Sequence, residues 1–480
     1  MESSRSIPPE ILLQMISNLR DISDLNSASL TCRAFHELVR LILYKSYQGD
    51  SSSPRLEAFL ECFNRYPGSN RILKTISATC VRSPNGLTAG QFDVVDEALK
   101  EIKALDQTAR ISRESFERED SKLALLLLLA KNLEKLHLQL SEIIATFSIP
   151  SSSALFEVLT IPFLFPRLKK ISLTFHGQPG KRKAAELMCS IFRFPNLKAV
   201  NLNYLVLHDL PHWTCPEGVS GIERITLDYC FLSEAVLRNL LVTCKALREF
   251  SWTYGEMDDY DHILSYSEIP LCDFPALRRA LDLQAASLEK LDINTVDNFI
   301  NSERISGDNL YLGRLDGFKN LTSLALPAFA LVSRNIFEPK PQVILELPIG
   351  INVLPTSIKS VALYNWENYE WATTKPEEIV YKTRDMLVSS LDIVPDLKIV
   401  EIRCIGRIEN EFTSYVGEIM IVERLQQEYE GCEFLEYIPP LQSTTPDLPT
   451  STELEATTPL LGAPDDPSGE SDVVYELASR

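Results

Sequence analysis

The chain has 480 residues, 45% of them hydrophobic, and a formal net charge of -19 at pH 7. That apolar content excludes wholesale disorder, and the acidic balance argues against a nucleic-acid backbone or an anionic membrane as partner, since both would repel it. Ten cysteines run from Cys32 to Cys432 with no Cys-x-x-Cys pair, which favours reduced, buried thiols over a disulfide framework. The longest wholly apolar run, residues 123–130, is far shorter than the ~20 residues a membrane-spanning helix needs, so it reads as a buried helix. No basic stretch followed by a cleavable apolar segment opens the chain, and a cytosolic or nuclear location is the expectation. No cofactor or metal is expected either. His208, His212 and Cys215 lie close together, but a fourth ligand is missing.

The first predicted element is a helix that starts at Pro8-Pro9-Glu10, because proline suits the first turn and an acid there meets the positive end of the dipole. Leu12, Met15, Ile16 and Leu19 follow at i, i+3, i+4, i+7 spacing and form one apolar stripe. Asp21, Ser23 and Asp24 carry capping side chains before a second set at Leu25, Ala28 and Leu30. A third set, Phe35, Leu38, Val39 and Ile42, comes after Cys32-Arg33. Three short helices in about forty residues bury little of their own apolar surface and call for a partner.

This order of residues resembles the F-box, whose pattern runs Leu-Pro-x-Glu-Ile-Leu, Ile, Leu, Asp-Leu, Cys-Arg/Lys-x-Trp and Leu. The chain offers Ile7-Pro8-Pro9-Glu10-Ile11-Leu12, Ile16, Leu19, Asp24-Leu25, Cys32-Arg33-Ala34-Phe35 and Leu38, with Ile7 replacing leucine and Phe35 replacing tryptophan. The resemblance implies a module over residues 1–48 that binds a Skp-type adaptor and, through it, a cullin of an SCF-type ubiquitin ligase. The implied docking residues are Ile7, Pro8, Glu10, Ile11, Leu12, Met15, Ile16, Leu19, Leu25, Leu30, Cys32, Arg33, Phe35 and Leu38.

Residues 49–54, small and polar and ending in proline, read as a linker. Leu56, Phe59, Leu60 and Phe63 then predict a helix stopped by Pro67-Gly68, followed by an extended run at Leu73, Ile76 and Ala78. The pattern Leu-x-x-Leu-x-Leu, with any apolar residue at each anchor, recurs with first anchors at Leu133, Leu168, Leu197, Ile222, Leu247, Leu288, Leu321, Ile358 and Leu397. Most of these are preceded by a helical segment, at 122–131, 185–192, 234–243, 275–283 and 384–391. Such a unit cannot bury its anchors alone, but stacked units share one core. The chain resembles an irregular leucine-rich repeat, most closely at Leu197, Ile222 and Leu247, which are 25 residues apart; Cys230 sits where that family often places a cysteine.

The expected fold class is therefore α/β: a three-helix F-box, then an irregular leucine-rich-repeat solenoid over 55–438 with parallel strands on the concave side and helices on the convex side. Residues 256–262 and 296–319 read as surface insertions, 423–429 as a final helix and 434–438 as a last strand. The tail, 439–480, is rich in Pro, Ser, Thr and acid and is expected to be disordered.

Strand alternation turns residues between and after the anchors to the concave face. The candidate substrate residues are Asn201, Asn203 and Tyr204, then Thr226, Asp228 and Tyr229, then Ser251, Thr253 and Tyr254, flanked by His137, Thr174, Asp292, Asn294 and Glu401. The three tyrosines share one register and are expected to form a ladder, a residue type favoured in binding hot spots. No catalytic constellation accompanies them: residues 177–181 lack phosphate-loop spacing, and neither Gly-x-Ser-x-Gly nor His-Glu-x-x-His occurs. The reading is a non-enzymatic adaptor that selects a protein for ubiquitination, with a repeat scaffold independent of ubiquitin as the alternative.

Overall fold

The computed structural model describes residues 7–19, 22–66, 68–81, 86–107, 109, 111–117, 120–140, 153–176, 181–210, 213–254, 273–294, 312–327, 330, 354–366, 396, 399–407, 414–419 and 433–434. Three helices come first, α1 (Pro9–Ser17), α2 (Ile22–Ser29) and α3 (Arg33–Leu43). Strand β1 (Ser46–Asp50) follows almost at once and pairs in parallel with β2 (Thr75–Cys80). Helix α4 (Pro54–Arg65) joins them, started by Ser53, whose hydroxyl accepts the Arg55 N–H, and by Pro54 in the first turn.

Helices and strands then alternate: α5 (Ala89–Leu105), α6 (Ser121–Leu129), β3 (Lys135–Leu140), α7 (Ala154–Leu159), β4 (Lys170–Phe175), α8 (Lys181–Ile191) and β5 (Ala199–Asn203). After the short β6 (Val206–Leu207) come β7 (Arg224–Asp228), β8 (Phe231–Leu232), α9 (Glu234–Thr243), β9 (Glu249–Thr253), α10 (Phe274–Asp282) and β10 (Lys290–Asn294). The remaining strands are β11 (Ser323–Pro327), β12 (Ser360–Trp366), β13 (Ile399–Arg407), β14 (Ser414–Ile419) and β15 (Glu433–Phe434).

Together these strands build a mixed α/β structure around one sheet in the order β1-β2-β3-β4-β5-β7-β9-β10-β11-β12-β13-β14, with β15 also on β13 and β6–β8 paired separately. Among the described residues all strand pairs are parallel except β13–β14.

All nine repeats of the sequence pattern become strands of this sheet. Their nine second anchors, Leu136, Ile171, Val200, Ile225, Phe250, Leu291, Leu324, Val361 and Val400, stand opposite one another from strand to strand, and Ile76 of β2 extends the row. Through Val361 each of these side chains is buried, and together with Leu138, Leu173, Leu202 and Leu227 and the helices they form one continuous core. The other sheet face stays half-exposed because alternate side chains point away from the helices. Helix α6 is the apolar run at 123–130 and lies inside this core. Its Lys122 is buried and pairs with Glu57 on α4.

Two devices repeat between units. The carbonyl before each strand of the large sheet from β1 to β11 accepts two N–H groups from the next unit, as Glu134 does from Lys169 and Lys170 at 2.8 and 3.2 Å and Lys198 from Glu223 and Arg224 at 2.9 and 3.0 Å. The residue just before several first anchors is asparagine, and its side chain reaches back: Asn132 to the Arg71 carbonyl at 2.7 Å, Asn196 to Pro166 at 2.6 Å and Asn320 to Ala286 at 2.6 Å. Along the same edge, Glu134 is bridged by Lys74 at 2.8 Å and Lys169 at 3.1 Å. Lys198 pairs with Glu223 at 2.6 Å and Arg248 with Glu289 at 3.2 Å.

The structure departs from the sequence reading in three places. Gly49 and Asp50, read as linker, end strand β1, because the Tyr47 side chain is buried and draws the segment into the sheet. In the insertion 296–319, Leu312, Leu315 and Phe318 are buried rather than on the surface, their three-residue spacing leading straight into the next anchor, Leu321. Helix α5 went unread although its start carries a capping box, Thr88 and Gln91 bonding each other's backbone N–H. The predicted helices 384–391 and 423–429 and the tail 439–480 lie outside the described residues, as does the insertion 256–262; β15 covers only the start of the strand read at 434–438.

Leu227→Ala, at a fully buried anchor, is expected to cost about 2–5 kcal/mol, while Thr226→Ala on the opposite sheet face costs far less; urea denaturation midpoints measure both. Hydrogen bonds from Lys74 and Lys169 hold the Glu134 carboxyl well below its ordinary value, at about 2. A depressed folded pKa contributes stability above the unfolded value and loses it as pH falls through the folded one. An NMR titration should therefore find Glu134 ionised at pH 3, and Glu134→Gln should flatten the acid limb of the stability profile.

Candidate functional site

Two faces combine exposure with residue types suited to recognition. The first is on the N-terminal helices. Pro8 caps α1 and Glu10 lies in its first turn, as the sequence implies. Inside the module Ile16, Leu25 and Val39 are buried against one another, with Leu19, Phe35, Leu38, Ile42 and Leu43 packed around them. Leu12 is half-buried, and Pro8, Glu10, Cys32 and Arg33 are exposed.

On the outside, Ile7 is 52% exposed, Ile11 48%, Met15 55% and Leu30 86%. Ile11 and Met15 are one helical turn apart and share a face. Apolar side chains held this far into water mark an interaction surface more often than a fold requirement. This sorts the predicted docking residues. Ile16 at 1% and Leu25 at 5% exposure serve as the module's own core and are corrected from contact residues to structural ones, whereas Ile7, Ile11, Met15 and Leu30 are available to a partner.

The module is tied to the sheet. Helix α3 runs into β1 through Tyr44 and Lys45, the Tyr44 ring lies 5.0 Å from Phe59, and Tyr47 lies 5.4 Å from the same ring. Arg40 sits 5.4 Å over the Tyr66 ring. Burial pushes the hydroxyls of Tyr44 and Tyr47 up to about 12.

The second face is the side of the sheet turned away from the helices. Backbone register places the predicted residues in two rows. One holds His137, Ser172, Asn201, Thr226, Ser251 and Asp292, continued at the far end by Glu401; the other holds Gln139, Thr174, Asn203, Asp228, Thr253 and Asn294. Thr174 is buried, so its part is to hold Asn203, whose amide donates to its hydroxyl at 3.0 Å. Burial, with a smaller contribution from Lys170, lowers the pKa of His137 and favours the neutral ring. The Asp228 carboxyl is raised by burial and by Asp292, against a hydrogen bond from Thr253.

The tyrosines divide. Tyr204 and Tyr229 stack with ring centroids 5.3 Å apart and an interplanar angle of 23°, and the His176 ring stands 6.3 Å from Tyr204. Tyr254 is 3% exposed and packs edge-on against Phe231 at 4.9 Å and Trp252 at 5.4 Å, so it is a core residue and the ladder has two rungs, not three. The reason is backbone geometry. Strict strand alternation, contrary to the placement expected from the sequence, would carry all three inward after Leu202, Leu227 and Trp252. Tyr204 and Tyr229 adopt left-handed φ of 61° and 54° and turn out of that alternation, and Tyr254 does not.

That turn also sends Leu205 and Cys230 into the core, where the Cys230 thiol donates to the Leu202 carbonyl at 3.2 Å and burial raises its pKa to about 12. His176, beside the stack, was missed by the sequence reading because it lies just past a strand, where alternation stops being informative. Cys215 is buried, His208 is exposed and His212 lies outside the described residues; among the described residues no group of His, Cys, Asp and Glu could hold a metal ion. Among them, too, no helix is long and apolar enough to cross a membrane.

The F-box-like family model matches residues 5–47, the span of the three helices and the first residues of β1. No curated protein sequence matches the chain. Among solved structures, an LRR protein of Leptospira interrogans is similar over 64% of this chain and 76% of its own, at 15% identity and a TM-score of 0.26.

The left-handed turn is directly testable. Tyr229→Asn and Tyr229→Val both lose the stack, but only valine is sterically opposed to φ of 54°, so valine should be the less stable by about 1–3 kcal/mol in thermal or chemical denaturation.

Proposed function

We propose that this chain is the substrate-recognition subunit of an SCF-type cullin ubiquitin ligase. Its N-terminal helices dock on a Skp-type adaptor, and its repeat region, a curved stack of helix–strand units with the sheet on the inner side, captures the protein to be modified. The observation that carries this reading is the coincidence of the F-box-like match with the exposed Ile7, Ile11, Met15 and Leu30. A family module made to dock carries there the apolar surface that its own small core leaves uncovered.

The chain performs no chemistry in this proposal. It raises the effective concentration of a bound protein near a ubiquitin-conjugating enzyme held elsewhere in the ligase. It acts on the cytosolic or nuclear side, where such ligases work, without cofactor, nucleic acid or membrane. Asn201, Asn203, Tyr204, Thr226, Asp228 and Tyr229 form the centre of the capture face, a half-exposed set of hydrogen-bonding groups around one aromatic stack.

Burying an apolar side chain of this size contributes about 1.5–3 kcal/mol. Ile11→Asp combined with Met15→Asp should abolish co-purification with the adaptor while the sheet domain keeps its melting temperature. Ile16→Asp is not the right probe, because it breaks the module's core. Adaptor retention by the double variant would point instead to a repeat scaffold that works without ubiquitin. Separately, Tyr204→Ser with Tyr229→Ser should leave adaptor binding intact and reduce the set of proteins cross-linked to the chain in its own cells.

A further inference from the structure

We infer that the capture face holds an arginine-bearing segment of its protein partner, with the guanidinium seated between the Tyr204–Tyr229 stack and the Asp228 carboxylate. The inference rests on the reading of that face as the capture surface and names the chemistry it selects.

Three observations converge on it. Register sets Asn203, Asp228, Thr253 and Asn294 side by side on β5, β7, β9 and β10, with Asn201, Thr226, Ser251 and Asp292 in the row beside them. These two rows contain neither lysine nor arginine; the basic residues of the same strands, Arg224 and Lys290, stand at their first positions and face Glu249 at 2.5 and 3.8 Å. Among the described residues these rows therefore carry carboxylates and amides and no cation, the wrong polarity for a phosphate or an acidic peptide and the right one for a cation.

The second observation is unmet hydrogen-bonding capacity. The side-chain oxygens of Asn203 and Asn294 are shielded from solvent and accept no hydrogen bond. Asp228 is half-buried, and among the described residues its carboxyl is raised by burial and by Asp292, against a hydrogen bond from the Thr253 hydroxyl. Buried acceptors normally find donors, and a partly desolvated carboxylate gains most from a charged one.

The third is the stack. Tyr229 follows Asp228 directly in the chain, and its ring stacks on Tyr204 at 5.3 Å; burial raises the Tyr204 hydroxyl, with smaller contributions from Tyr229 and Asp228. Tyrosine faces attract cations, and a guanidinium adds planarity that lets it lie flat on a ring while its N–H fork meets a carboxylate; an ammonium supplies only a point charge. That combination selects arginine over lysine. A net charge of -19 draws basic partners toward the chain in general but does not choose among them.

The test uses the full-length chain and a fluorescein-labelled peptide of alternating glycine and arginine, with lysine and glutamine versions as controls, followed by fluorescence anisotropy. The arginine peptide should bind most tightly. Asp228→Asn, which keeps shape and removes charge, should weaken it about tenfold, and Asp93→Asn, an exposed acid on α5, should leave it unchanged.

Equal binding of the lysine or glutamine peptide, equal weakening by Asp93→Asn, or no binding of the arginine peptide would each overturn the inference. Cross-linking from the protein's own cells separates this failure from that of the wider reading. If Tyr204→Ser with Tyr229→Ser loses partners and Asp228→Asn keeps them all, the capture face stands and the arginine assignment falls. If neither variant loses any, the capture face falls as well.

Discussion

The structure depends on one constraint: an isolated helix–strand unit cannot bury the apolar anchors of its strand, so every unit must lend its second anchor to a row shared with its neighbours. From Ile76 to Val361 that row is buried without a break. Parallel pairing enforces it, because strands running the same way need a crossover connection, and α4, α5, α6, α7, α8, α9 and α10 lie in such crossovers. The carbonyl that accepts two N–H groups at the start of each strand and the asparagine that reaches back to the previous unit hold neighbouring units in the same register. Register matters because a slip of one residue would exchange the apolar and polar faces.

The same constraint reaches the N-terminal helices. Because Tyr47 belongs to the buried row, the chain passes from α3 into the sheet with only Tyr44 and Lys45 between them. The aromatic group of Tyr44, Tyr47, Phe59 and Phe63 fills the junction. The two faces that carry the proposed function are thus joined by packed side chains, which fixes the direction in which a protein held on the sheet would be presented relative to one held on the helices.

The polar sheet face is less free than its composition suggests. Thr174 and Asn203 bond to each other, Thr79 donates to Gln139 at 2.9 Å, and Tyr254 is withdrawn into the core. Among the described residues, β5, β7, β9 and β10 run side by side with a half-exposed polar face. There the stacked tyrosines are held by a left-handed turn that most side chains resist, and that strain is offset by the core contacts of Leu205 and Cys230 directly after it.

Much of this was legible in the residues alone. The nine repeated anchors, the helices at 121–129, 181–191, 234–243 and 274–282 and the proline-capped first helix follow from spacing, since periods of two and of 3.6 residues leave distinct apolar patterns. Which residues share a row on the sheet also follows, because alternation is a property of any strand. Three matters were decided only by tertiary structure. Ile16 and Met15 are adjacent apolar residues on one helix, and which of them is inside depends on where α2 and α3 pack. Gly49 and Asp50 have linker composition but complete a strand, because the edge of β2 offers hydrogen bonds that a tether cannot match. Tyr254 occupies the same place in its repeat as Tyr204 and Tyr229, yet its backbone continues the strand where theirs turn left-handed. Leu205 and Cys230 follow the first two in sequence and Gly255 follows the third. Only the packing shows that the turn seats Leu205 and Cys230 in the core while Tyr254 itself fills the space beside Phe231 and Trp252.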